Sequence, residues 1–151
     1  MSSWLDVALL AVLIVLNGVF AMSEISLVTS RRARLQRLID DKVAGAERAR
    51  ELNADPNRAL STIQVGITSI GILSGIVGES ALARPMEAFL VMVGLSPETA
   101  KAIGLFVVVV LITYFSIVMG ELVPKRIGQI SPERIACRLA PPIPTSRMMS
   151  A

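Results

Sequence analysis

The sequence predicts an all-α membrane protein with three spanning helices, and three observations carry that reading. Just over half of its 151 residues are hydrophobic (53%) and only 4% are aromatic, a profile suited to one small membrane domain. Two stretches reach the roughly 20 apolar residues that a bilayer core requires, and a third nearly does. The basic residues also gather on alternate connections. Arg31, Arg32, Arg34, Arg37, Lys42, Arg48, Arg50 and Arg58 lie between the first two spans, but only Arg84 and Lys101 lie between the second and third. Lys125, Arg126, Arg134, Arg138 and Arg147 follow the third. The positive-inside rule then puts the N-terminus outside and the C-terminus in the cytoplasm of a cell carrying this protein in its plasma or inner membrane.

The first span covers about 4–29. It begins near Trp4, an interfacial anchor, and from Val7 to Ser30 it is interrupted only by Glu24. It is no secretory signal, because the basic n-region is missing and the apolar run is too long. Residues 31–53 read as one amphipathic juxtamembrane helix on the cytoplasmic side, with Leu35, Leu38, Val43, Ala46, Ala49 and Leu52 at helical spacing among charges. Such a helix packs under the membrane domain, and its basic face also suits an anionic lipid surface. Asp55-Pro56 supplies a cap and first-turn proline for the second span, about 58–78. That span is crowded with small and hydroxyl residues, and Gly71 and Gly75 make a close-packing pair.

Residues 79–96 read as an external connection with a partial helix over 81–93. Ser96-Pro97 opens the third span, about 98–121, and Ser131-Pro132 opens a short amphipathic helix with Ile135 and Leu139 on one side. Residues 1–140 thus form the transmembrane domain, and the proline-broken segment 141–151 is a frayed tail.

Composition narrows the chemistry. The net charge of +3 comes from bases flanking spans, which argues against nucleic-acid binding. One cysteine and no histidine exclude an intramolecular disulfide and disfavour zinc or haem. No phosphate-binding loop and no nucleophile–base pair is visible, so the chain does not read as an enzyme. Any bound metal should be a hard cation on oxygen ligands.

The sharpest local signal is Gly120-Glu121-Leu122-Val123-Pro124-Lys125 after the uncharged run Ala102 to Met119. Pro124 cannot donate the hydrogen bond that would close onto the Gly120 carbonyl, so a free backbone oxygen is expected beside a carboxylate. Unpaired backbone at membrane depth survives only when buried or lining a cavity, and an intramembrane carboxylate marks a functional site. On the first span, Asn17, Ser23, Glu24 and Ser26 are too many polar groups for a plain anchor. Glu24 suits a salt bridge to nearby Arg31, or a supporting carboxylate. Ser23 suits a bond back to the carbonyl of residue 19. Oxygens from three helices suggest a cation site: Ser23, then Gly66 or Ser69, then Gly120 with Glu121.

The runs NGVFAMSE (17–24), IQVGITS (63–69) and GELVPK (120–125) resemble the transmembrane domain of the CorC and cyclin-M (CNNM) magnesium transporters. The resemblance spans roughly Trp4 to Leu139. It implies a homodimer of three-helix protomers with a cytoplasmic belt helix, exporting magnesium, coupled to sodium, by alternating access. It also implies Ser23, Ser69 and Glu121 as ion ligands, with backbone oxygens from Gly66 and Gly120. Pro124 and Lys125 would shape the break without touching the ion. Relatives often carry an asparagine in the second span about where Gly71 stands, so no amide ligand is expected from this helix. Members usually continue into nucleotide-binding modules and a further domain absent from this sequence, so it reads as a piece of a longer protein, touching nucleotide only through those missing parts. A second reading is a dimeric membrane anchor or sensor for such modules, with Glu121 as a structural cap. A channel is weaker, because no ring of charges or filter sequence is visible.

Overall fold

The computed structural model describes residues 3–140, and it is almost wholly helical. The elements are α1 (Ser3–Thr29), α2 (Arg32–Asp40), α3 (Ala46–Ala54), α4 (Pro56–Met92), α5 (Pro97–Ile117), a π-helical turn (Val118–Leu122), α6 (Val123–Ile130) and α7 (Pro132–Leu139). Three helices are long and apolar enough to cross a membrane: Trp4–Thr29, Pro56–Met92 and Pro97–Ile130. Only small shares of these spans are buried inside the chain, so most of their apolar side chains face outward. In water that would be costly; in a bilayer, lipid covers them.

α4 packs against α1 on one side and α5 on the other. Its buried residues, Ala59, Ile63, Ile70, Ser74, Gly78 and Ala81, form one stripe at helical spacing. On α5 the matching stripe is Ala100, Gly104, Val108 and Ile112, one residue per turn. Small residues set the approach. A Cβ on Gly104 would sit 3.4 Å from the Glu87 backbone nitrogen, and one on Gly78 would strike the Ile112 side chain.

This packing explains a departure from the sequence reading. Residues 79–92 are not a connection but the last third of α4, and Pro85 lies inside the helix. Proline forfeits one backbone hydrogen bond there, but the α5 surface alongside keeps the helix running. The true connection is Val93–Ser96. Gly94 has φ 107°, and the Leu95 N–H bonds back to the Leu90 carbonyl at 3.2 Å. At about 1.5 Å per residue, α4 is roughly 55 Å long, well beyond a ~30 Å hydrocarbon core.

The segment read as one helix over 31–53 is two. Lys42 takes φ 56°, and the Val43 N–H bonds to the Leu38 carbonyl at 2.9 Å, which closes α2 in a Schellman-type cap. The apolar spacing runs on across the break, so periodicity alone could not see it. The two helices fold back on one another to bury Leu35, Ala46, Ala49 and Leu52. Leu27 of α1, Ala59 of α4, and Ala136 and Cys137 of α7 complete this core.

Polar side chains lock the same end. The Asn53 Nδ2 donates to the Leu27 and Ser30 carbonyls at 2.9 and 3.3 Å, serving orphan acceptors at the end of α1. Glu133 accepts the Arg31 N–H at 3.0 Å. Cys137 is buried beside it, and burial, with the Glu133 charge adding, pushes its thiol above the ordinary range. α7 buries Glu133, Ala136 and Cys137, while Ile135 and Leu139 lie partly covered at the edge of that face. The prolines open α4, α5 and α7 as expected. Of their preceding residues only Ser96 caps with its side chain, accepting the Thr99 N–H at 3.4 Å. The expected frayed tail, 141–151, lies outside the described residues.

Candidate functional site

The third span does not break at Glu121. It widens for one turn and continues as α6. In that turn the Val123 N–H bonds to the Val118 carbonyl, one residue further back than in an α-helix. A single π turn absorbs the donor that Pro124 lacks, and such turns often occur at functional sites. The Gly120 carbonyl is not free either. It accepts a hydrogen bond from the Asn17 Nδ2 of α1 at 3.0 Å. The amide stands where the sequence reading left an empty oxygen, since the partner lies 103 residues away.

Glycines make this approach possible. A Cβ on Gly18 would lie 2.9 Å from Pro124 Cγ, and one on Gly128 would overlap Ile25 and lie 3.2 Å from the Met22 carbonyl oxygen. One face of α1 therefore docks the whole segment from the π turn through α6. Gly120 itself faces Asn17, whose Nδ2 would be 3.1 Å from an added Cβ.

The docking builds a charge centre from two spans. The Lys125 Nζ lies 2.7 Å from Glu121 Oε1 and 3.3 Å from Glu24 Oε2. The side chains are 30%, 41% and 21% exposed for Lys125, Glu121 and Glu24, so the group is neither sealed nor fully open. One ammonium between two carboxylates leaves one unit of negative charge. Glu24 therefore pairs with Lys125 rather than Arg31. α1 ends at Thr29, and the Arg31 backbone is committed to Glu133. Lys125 is more than a shaper of the turn. Its spacing of four from Glu121 was the available signal, because such residues are neighbours on a helix.

Asn17 Oδ1, on the amide that holds Gly120, is buried and lacks a hydrogen-bond partner among the described residues, as does Ser116 Oγ, one turn before Gly120 in sequence. Among the described residues, no three histidine, cysteine or acidic side chains cluster. A cation here would thus meet at most two carboxylates plus neutral oxygens.

The other expected ligands stand elsewhere in the single chain. Ser23 is buried and donates to the Val19 carbonyl at 2.8 Å. It lines a small void with Leu52 and Ala136, on the side of α3 and α7. Gly66 is pressed against Phe20, whose Cε1 would be 2.6 Å from an added Cβ. Ser69 is exposed on the outer face of α4, in an open cleft with Ser61, Gln64 and Thr68. Asn17, Glu24, Gly120, Glu121, Pro124 and Lys125 are brought together; Ser23, Gly66 and Ser69 are not.

The profile of the cyclin M transmembrane N-terminal domain matches residues 8–150. The chain belongs to the cyclin M transmembrane-domain family. A UPF0053 protein of Synechocystis sp. is 44% identical to it over 137 residues, 91% of this chain and 31% of that protein. The UPF0053 protein YhdT of Bacillus subtilis is 34% identical over 135 residues, 89% of this chain and 29% of its own. The polyamine export protein of Escherichia coli K12 is 33% identical over 131 residues, 87% of this chain and 29% of its own. This cyclin M domain thus spans about a third of the length of the curated relatives it matches.

Proposed function

We propose that this chain is the cation-translocating membrane domain of an exporter, with Glu121 and Glu24 as the charges that hold the cation in transit. The observation that carries the proposal is the Lys125 ammonium held between two carboxylates from different spans, at 2.7 and 3.3 Å. This tethered cation stands in for the transported one. When Lys125 swings aside, two negative charges remain, which balances a divalent ion. The unpaired Asn17 Oδ1 and the second lone pair of the Gly120 carbonyl are then neutral oxygens within the same neighbourhood. Magnesium, exported against sodium by alternating access, is the substrate that best fits a dicarboxylate with neutral oxygens. It keeps several waters, so ligands from Ser23, Gly66 and Ser69 need not all converge in one state. The working unit is a homodimer in the cell membrane, N-terminus outside and C-terminus inside.

A second reading has its own support. The same carboxylate pair already embraces an alkylammonium, the side chain of Lys125. A primary ammonium at the end of a linear polyamine would meet the same geometry, and a relative carries the name polyamine export protein.

Titration calorimetry on the detergent-solubilised chain separates these readings. Magnesium, with sodium varied, and a linear diamine are each titrated into wild type, Glu121→Gln and Lys125→Met. Saturable magnesium binding that weakens with sodium, vanishes in Glu121→Gln and tightens in Lys125→Met supports the first reading. Diamine binding with the same dependence, and no magnesium binding, moves the substrate to ammonium. A folded wild type that binds neither defeats the proposal and favours an anchor or sensor for cytoplasmic modules.

A further inference from the structure

A pocket of about 420 Å³ opens at the basic end of the third span, between α2 and the junction of α6 with α7. Arg34 and Arg37 line one wall, and Ile130, Glu133 and Arg134 line the other. The charges do not cancel. Glu133 is only 5% exposed and already engaged, by the Arg31 N–H at 3.0 Å and by Arg34 at 3.9 Å. Arg37 and Arg134 have no ion-pair partner among the described residues. Asp41, also on the rim, has no basic group within ion-pair distance there. Two exposed guanidinium groups from segments almost a hundred residues apart in sequence therefore face one cavity unspent. Their planar forks match the oxygens of a phosphate.

The neighbouring surface says which kind of phosphate. Ile130 is 77% exposed and Ile127 is 45% exposed. Three residues apart, they share a face of α6, and they end the 34-residue apolar span. An apolar wall thus leads directly into a cationic pocket. A soluble phosphate would use the arginines and ignore the wall, whereas a phospholipid uses both. We propose that this pocket holds the headgroup phosphate of an anionic phospholipid, with Arg37 and Arg134 on the phosphate, Arg34 at the rim and an acyl chain along Ile127 and Ile130. The site is separate from Glu121 and does not depend on which cation that residue holds.

Native mass spectrometry of the chain, released from micelles holding equal phosphatidylcholine and phosphatidylglycerol, reads the bound lipid. One phosphatidylglycerol per protomer is expected to stay bound. Arg37→Gln with Arg134→Gln should weaken it roughly 100-fold, about tenfold for each charge-assisted hydrogen bond to the phosphate that is lost. The control pair, Arg32→Gln with Arg126→Gln, removes the same charge from exposed positions that do not line the pocket, and should retain the lipid. Equal loss in both pairs would mean diffuse attraction and overturn the pocket. No preference for phosphatidylglycerol would overturn it as well. Complete displacement by millimolar glycerol phosphate would overturn the lipid in favour of a soluble phosphate ligand. All four arginines are exposed, so folding should survive. If the double variant nonetheless melts early, Arg134→Gln alone decides, with about tenfold weakening expected and none refuting.

Discussion

Replacing Gly45 with alanine should pry α7 from α3 and expose the single cysteine of the chain. Gly45 holds φ 80°, and a Cβ there would overlap the Cys137 carbonyl oxygen and lie 3.1 Å from its carbon. Left-handed backbone costs a residue with a Cβ about 1–2 kcal/mol. Overpacking typically adds about 1–3 kcal/mol, and here the neighbour is backbone, which cannot rotate away. Only the collision is relieved when α7 moves away, and about 2 kcal/mol of overpacking on this one contact multiplies its opening equilibrium roughly 30-fold. Cys137 is 2% exposed, and its thiol is held neutral by burial and by Glu133. Maleimide should therefore reach it only through such opening. The assay is the labelling rate at fixed pH, with circular dichroism confirming helix content. Gly94→Ala is the control: φ is 107°, but nothing lies within 4 Å of the added Cβ. It carries the backbone strain without the collision, and should leave the rate at Cys137 unchanged. A helical Gly45→Ala protein that labels at the wild-type rate would refute the argument that this contact seals the cysteine.

Gly66→Ala should lower the melting temperature by a few degrees, since about 1 kcal/mol net is expected after overpacking against the Phe20 ring is set against better helix propensity. Gly75→Ala, with open space around it, should leave stability equal or raise it by up to about 1 kcal/mol. Asn17→Leu strands the Gly120 carbonyl and should cost about 1–3 kcal/mol, read in the same melts. A melting temperature at or above wild type would count against that hydrogen bond. The folded Cys137 thiol holds its proton more tightly than the unfolded one, whose ordinary value is 9.0. Its contribution is complete below that value and is lost as pH rises through and above it. Wild type should therefore lose more stability than Cys137→Ala between about pH 8 and about pH 10; parallel losses would show that the thiol is not responsible.

Much of the candidate site was legible in the sequence, but its wiring was not. Glu121, Gly120, Pro124 and Asn17 could be singled out because a carboxylate, a proline and an amide are anomalous within apolar runs, whatever surrounds them. The partner of the Gly120 carbonyl could not. It depends on the rotation of α1, which Gly18 and Gly128 permit by giving Pro124 and Met22 room. The same rotation brings Glu24 to Lys125. The split of 31–53 was hidden because Leu35, Ala46, Ala49 and Leu52 keep helical spacing across the turn at Lys42 while facing each other after it.

By itself the sequence determined that this is a three-span, all-helical membrane protein, and where prolines start its helices. Transfer into lipid sums residue by residue, and a proline acts on its own turn, so neither needs the fold. The tertiary structure alone decided that α4 runs on to Met92, that the third span widens into a π turn instead of ending, and that an ammonium sits between Glu24 and Glu121. Each of these trades a local cost, such as a lost helical hydrogen bond at Pro85 or Pro124, against contacts with a helix distant in sequence. Their outcome depends on the approach and register of packed helices, which no single stretch of sequence contains.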